Sequence, residues 1–404
     1  MRRRDFALLI LILLIGVGFQ LGHQIKQGRL PLGIEVDGLE FMRGPVRTFS
    51  ESREAPLREG AQLSIDAGRG DVEVRTWNEP KVRVEVRKEL RAESEEAAAK
   101  IAGAVRLSLD SAADGLTVHM VPEGGAGRPG ALRSSFTVTA PLQSRLRVTA
   151  TQGDVTIRGV GGDTFVQTAH GDVSAEDLGG ACEIVNRHGE VRVDSVKGRL
   201  KIADEHDDVS VSQAASDVEI DSAHGAVSVT SARGSVRIRN RHGEVRVEDA
   251  GGSVDVEAPH CSVTLRKIGG AVTARVEADP LEASDVAGPV TVNAELTSVT
   301  LAEVRGKIQV SGQHTDVTLT NPGSDVDVRT THQEIDLFGP SSRGFRIDAS
   351  SDGGEIQSDI AALRLPEEEV SRFSGRVGDG HAQYKLFTSH STIRIQGDSR
   401  SSEH

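Results

Sequence analysis

Aromatic side chains are almost missing from this chain of 404 residues, which has 10 Phe, one Trp and one Tyr, 3% in all. A globular core of this size is usually filled with large rings, so the scarcity argues against the two or three ordinary domains that the length suggests. Cysteine is scarce too, with two residues, and basic charge is in deficit, with 47 Lys and Arg against 60 Asp and Glu and a net charge of −13. A diffuse acidic surface lacks the basic face that phosphate recognition needs, so no nucleic-acid partner is expected. With 37% hydrophobic and 26% charged residues, the chain is neither disordered nor a polytopic membrane protein. Val, Ile, Leu and Ala must build its core in some regular way.

The amino terminus indicates the compartment. Arg2, Arg3 and Arg4 precede an apolar run from Phe6 to Leu21, broken only by Gly16, Gly18 and Gln20. That is close to the roughly 20 residues that cross a bilayer. The basic flank stays in the cytoplasm and everything after about Gln24 lies outside. No small-x-small cleavage signature follows the run and no Cys offers itself for lipidation, so a retained anchor is preferred to a cleaved signal peptide. The expectation is a single-pass cell-membrane protein with a periplasmic or extracellular body. Residues 1–25 form the basic flank and transmembrane helix, and 26–59 a Pro-, Gly- and Arg-containing tether.

From Gly153 the chain repeats every nine residues through twenty-one units without insertion or deletion, from GDVTIRGVG to QEIDLFGPS. The third position is apolar in all units but one, where Thr164 stands, and the fifth is apolar in all. Apolar, polar, apolar is the period of a strand with one face buried. A strand this short is unstable alone, but stacked equivalents satisfy one another's backbone groups and join their inward residues into one core. His170, His188, His206, His224, His242, His260, His314 and His332 fall on an 18-residue register interrupted at Ala278 and Leu296. In the alternate units the eighth position is small or apolar, as at Val160, Leu178 and Val196. Two unlike nines therefore make one coil. The fold class is all-β: a single-stranded parallel β-solenoid with 18-residue coils, preceded by the transmembrane helix and a short helical insertion. At the strand spacing of about 4.8 Å its regular part is a thin stack roughly 50 Å long. Narrow coils explain the missing aromatics, and 18 of the 44 Gly stand at the first or ninth position of a unit, where the turns are.

The regular solenoid is expected over 144–340. Before it, residues 60–143 form an N-terminal β region that caps the stack, with a helix over 94–107 that starts at Ser94 and has Glu95 and Glu96 in its first turn. After it, 341–397 form a C-terminal β cap on the open end and 398–404 a disordered tail.

The recurrent T/A-x-[S/H]-G-[D/E]-V-x-V pattern, the opening GDVEVRTW at Gly70 and the helical insertion resemble the putative-adhesin β-strand-repeat family of bacterial envelope proteins, a domain of unknown function related to the head domain of putative auto-transporter adhesins. The resemblance covers about residues 60–400. It implies a β-solenoid outside the cytoplasm and no established enzymatic activity. One departure is that such families carry Ser or Thr before the Gly, where this chain has a column of His.

Stacked coils place successive imidazoles about 5 Å apart. Two such rings that tilt together can share Zn²⁺ or Ni²⁺, with Asp172, Glu190, Asp208, Glu244, Asp316 and Glu334 adding oxygens or outer-shell acceptors. The simpler account is a turn-filling ladder of stacked His. In either case protonation brings like charges together and strains that edge in acid. Calcium-binding solenoids need G-G-x-G-x-D turns, whereas these turns read DSVK, ADEH or RNRH, and acids such as Asp154, Asp163 and Asp217 are read as solubilising edge charges. A carbohydrate-active enzyme requires carboxylates facing across a groove, usually with aromatic platforms; Glu176, Glu183, Glu219, Asp221, Asp255 and Glu257 are instead spread among Arg and Lys as a solvated face. Cys182 faces inward and Cys261 lies in a turn more than four coils away, roughly 20 Å and beyond disulfide reach. The function expected is therefore a non-catalytic adhesin-like scaffold or binding surface that requires no cofactor. Its partner would be an envelope protein, a surface glycan or another copy of itself. A metal-binding or pH-sensing module is the first alternative, and a carbohydrate-active enzyme the second.

Overall fold

The computed structural model describes residues 44–123, 132–339, 344–366 and 370–397. The expected anchor at 1–25, most of the expected tether and the expected tail at 398–404 lie outside them. No helix among the described residues is long and apolar enough to cross a membrane.

The chain divides into two units. Among the described residues the larger holds Ser50–Arg87, Leu107–Val121 and those from Ser134 to 397, and forms a parallel β-solenoid of about 11 turns. Each strand pairs in register with its equivalent one coil on, as Thr164 does with Cys182, Cys182 with Leu200 and Leu200 with Val218. On the other side of the coil the series runs from Val173 to Val191 to Val209. The coil period is thus the 18 residues of the His register.

Six side chains per coil face inward. In the coil that starts at Gly171 they are Val173, Ala175, Leu178, Cys182, Ile184 and Asn186, all buried. Simple alternation would leave Leu178 outside, three positions after Ala175. Asp177 corrects this with a left-handed φ of 56°, which turns the chain so that Leu178 rejoins the core. The same corner recurs in successive coils at Ser195, Gln213, Ser231, Asp249, Lys267, Asp285 and Glu303, with φ between 53° and 60°. At the opposite corner several coils need glycine, although Asp207 and Cys261 hold the equivalent position in others. Gly171 has φ 138°, and a Cβ there would come within 2.2 Å of the Gly153 carbonyl oxygen one coil below.

Both ends of the stack are built out of chain order. Val326 pairs with Tyr384 and Ile335 with Ile393, so the strands Ala382–Ser389 and Ile393–Gln396 form the coil that follows Val326–Phe338. The earlier strand Gly344–Asp352 lies on the far side of Ala382–Ser389, and Arg372–Gly378 closes antiparallel on it. Part of the stretch expected only to cap the stack therefore continues it. At the other end Leu63 pairs with Leu146 and Val72 with Val155, and beyond them Leu116 and Phe136 continue the stack. The segment expected as tether contains the strand Val46–Pro56. Its alternating, half-exposed pattern was hidden by its many charged and polar residues, and Glu54 binds Lys81 and Arg83 at 3.0 and 2.6 Å.

Among the described residues the smaller unit comprises 44–49, Lys88–Arg106, 122–123 and 132–133. Its helix runs from Glu95 to Gly103, capped by Ser94, whose hydroxyl accepts the Ala97 N–H at 3.1 Å. It ends short of 107 because the residues from Val105 alternate, and Val105–Ser111 is a strand. Lys88 is buried, and its ammonium donates to the carbonyls of Ala102 at 3.2 Å and Val105 at 2.6 Å, at the negative end of the helix.

Candidate binding surface

The eight His expected in one column do share one edge of the solenoid, exposed or half-exposed. From His170 to His260 five successive ring pairs stack with centroids 4.4–5.6 Å apart, and His314 stacks on His332 at 4.9 Å. A ninth ring, His390, extends the column at 5.1 Å from His332. No periodicity in the sequence identifies it, since 58 residues separate it from His332. Most neighbouring rings are within 4–7° of parallel, the exceptions being the two pairs that include His206, at 27° and 29°. Imidazole lone pairs lie in the ring plane, so parallel rings aim them side by side rather than at a shared point. Among the described residues, no group of three or more His, Cys, Asp or Glu is placed to hold a metal ion.

The acids beside this column serve the backbone. Asp154 accepts the Asp172 N–H at 3.0 Å, Asp172 accepts that of Glu190 at 2.9 Å, Asp208 that of Ala226 at 2.8 Å and Asp316 that of Glu334 at 3.1 Å. Asp163 and Asp217 do the same at the other corner. Each short side chain reaches one coil along the stack and satisfies a turn N–H that the ladder leaves open. Glu190 and Glu244 pair instead with Arg192 and Arg246 on their own strands. Glu334 accepts from Arg394 at 2.8 Å.

Beneath the His column runs an internal column that composition and period did not reveal: Thr168, Asn186, Asp204, Ser222, Asn240, then Ala258, Val276 and Ala294. Five polar residues there precede three apolar ones, so the column carries no continuous hydrophobic signature. Asn186 and Asn240 donate to the carbonyls of Gly189 at 2.5 Å and Gly225 at 2.9 Å. Asp204, 5% exposed, accepts the Asp207 N–H at 3.1 Å, while its other oxygen has no partner. Burial pushes its carboxyl up to about 6, against the opposing pull of its backbone hydrogen bonds. Burial also raises the thiols of Cys182, to about 12, and Cys261, to about 11. Both are free, and Cys261, expected in an open turn, is fully buried with its sulfur 3.4 Å from the Asn240 carbonyl.

The outward faces carry ion pairs between coils. Arg158 meets Glu176 at 2.9 Å, Lys201 meets Glu183 at 3.7 Å and Arg237 meets Asp255 at 3.1 Å. One column forms a continuous chain in which Arg239 bridges Asp221 at 3.2 Å and Glu257 at 3.5 Å, and Arg275 meets Glu257 at 3.8 Å. Beyond Arg275 the column becomes Asn293, Ser311, Arg329 and Phe387, and a groove of about 660 Å³ extends along it from Glu257 and Arg275. Its floor includes Ala294 and Gly312. Phe387, 42% exposed, stands at its end.

Comparison with curated proteins found no match. Three solved structures are similar to this chain. A putative cell adhesion protein from Clostridium sporogenes is 10% identical, with 87% of this chain and 100% of that one covered and a TM-score of 0.18. A putative adhesin from Parabacteroides distasonis is 13% identical, with 69% and 97% covered and a TM-score of 0.25. A putative adhesin from Bacteroides fragilis is 14% identical, with 68% and 97% covered and a TM-score of 0.22. At these scores no functional weight rests on the likeness. A family model, in contrast, matches more than half of the chain, residues 60–285, across the GDVEVRTW strand, the helical insertion and the coils that carry the first run of His. The chain belongs to the Toastrack DUF4097 family.

Proposed function

We propose that the protein is a non-catalytic, adhesin-like binding scaffold of the cell envelope, anchored in the membrane by Phe6–Leu21 with its solenoid outside the cytoplasm. The observation that carries this reading is the outward surface. Strand pairing in register repeats each outward position once per coil, which gives long rows of side chains on a backbone held from both sides. Such rows suit a partner that is itself extended or repetitive. The acids that a hydrolase would use are engaged with bases of adjoining coils, as Glu176, Glu183, Asp221, Asp255 and Glu257 are. Arg2–Arg4 beside an uncharged apolar run support the anchor and its orientation.

Membrane fractionation followed by protease digestion of intact cells or spheroplasts tests the placement. The chain should pellet with membranes and its solenoid should be cut only from the outer side; recovery in the soluble cytoplasm would refute it. Retention of labelled envelope fragments by the purified full chain tests the binding role, and no retention above that of an unrelated solenoid would end it. The near-parallel His rings favour a structural stack over a metal site. Zinc or nickel should therefore leave the melting temperature unchanged, and a stoichiometric metal-dependent rise would restore the metal-binding alternative.

A further inference from the structure

We infer that the groove over Ala294 and Gly312 binds a segment of neutral polysaccharide. The inference rests on the binding-surface reading above and gives that surface a ligand class. The groove runs from the last pair of the ion-paired column, Glu257 and Arg275, into a stretch where that column loses its charges. From Asp221 to Arg275 successive side chains neutralise one another across coils, whereas Asn293 and Ser311 leave an uncharged gap before Arg329 and Phe387. Val276, Ala294 and Gly312, small or apolar members of the internal column, also line the groove.

The lining suits sugars. Hydroxyl groups both donate and accept, and the amides of Asn293 and Gln313, the carboxylate of Glu295 and the guanidinium of Arg329 offer planar, paired partners for vicinal hydroxyls. Phe387 turns an exposed ring toward water, where the C–H face of a pyranose can cover it. The groove runs along the stack, so its side chains repeat at the strand spacing of about 4.8 Å, close to the rise of one residue in an extended β-linked glycan. One sugar per coil can therefore meet a different polar group in each successive coil. The volume lies within the range of about 300–1,000 Å³ usual for ligand sites.

Other extended polymers fit less well. The strands Val272–Glu277, Val290–Glu295 and Ile308–Gln313 each have a parallel partner on both sides, so no edge is free for a peptide to add as a strand. Three carboxylates, Glu257, Glu277 and Glu295, outnumber Arg275 and Arg329, which disfavours an anionic chain.

The test is an array of neutral and anionic oligosaccharides of defined linkage probed with the detergent-solubilised full chain, followed by titration of the best binder. The wild type should retain neutral oligomers of several residues. Phe387→Ala and Gln313→Ala, both exposed positions, should each weaken binding about tenfold, and Arg192→Ala on another strand face should not. Retention of anionic oligomers only, of none, or an affinity indifferent to both groove substitutions would overturn the proposal. Envelope fragments measured alongside separate the two readings. If they are retained and neutral glycans do not compete, the groove assignment falls and the scaffold stands; if they are not retained, the scaffold reading falls as well.

Discussion

Asp204→Asn should stabilise this protein at neutral pH and lose that advantage in acid. Asp204 is 5% exposed, with one carboxylate oxygen bound to the Asp207 N–H and the other without a partner. Desolvation is the largest cause of its raised pKa, about 6 against 3.8. A carboxyl whose folded value is raised adds stability fully below its unfolded value, and that stability is lost as the pH rises through about 6. Above that pH the folded state carries a buried, poorly solvated charge, at a cost of up to about 3 kcal/mol. The column shows that the neutral amide fits, since Asn186 stands one coil before and Asn240 two coils after. The amide keeps an acceptor for the Asp207 N–H, in a weaker uncharged bond, so the net gain expected is about 1–3 kcal/mol. Urea unfolding of both proteins between pH 4 and 8 reads it, and the difference between them cancels the titration of the exposed His. A variant no more stable than wild type at pH 7.5, or a gain that does not shrink toward pH 4, would refute the reasoning.

Three further outcomes follow from single positions. Ile202, fully buried between Ile184 and Ile220, should cost about 2–5 kcal/mol as Ile202→Ala in the same urea experiment, and a loss below about 1 kcal/mol would mean that the column collapses around the gap. Lys267 sits at φ 54°, so Lys267→Gly should raise stability by up to about 1 kcal/mol while Lys267→Val lowers it by about 1–2 kcal/mol; equal midpoints for the two variants would disprove the corner's role. The buried, high-pKa thiols of Cys182 and Cys261 should resist a thiol-specific dye at pH 8 in the native protein and both react after denaturation, and rapid native labelling would contradict their burial.

Much of the architecture was legible in the sequence because a solenoid uses the same local solution in every coil. The third, fifth and eighth positions face the core as their apolar character implied, from Val173, Ala175 and Leu178 onward, and the 18-residue register of His became a physical stack. What repeats locally can be read locally. The aromatic deficit follows from the same geometry, because a narrow coil of Val, Ile, Leu and Ala leaves little room for rings; the buried rings Phe136, Phe345 and Tyr384 lie in the out-of-order coils at the two ends.

Only the tertiary structure decided the rest, wherever the pairing partner is distant in sequence or the residue type is ambiguous. His390 joins the column because Ala382–Ser389 pairs with a strand 58 residues earlier, a distance that no nine-residue period encodes. Asp204 and its neighbours are internal although they are polar, since the chain direction at that corner and not hydropathy sets where the side chain points. The Asp residues beside the His column, read from sequence as edge charges, are hydrogen-bond acceptors because equivalent turns stack within reach of a short carboxylate. The groove exists only because four coils align Ala294, Gly312, Arg329 and Phe387, which are scattered along the chain and meet through register alone.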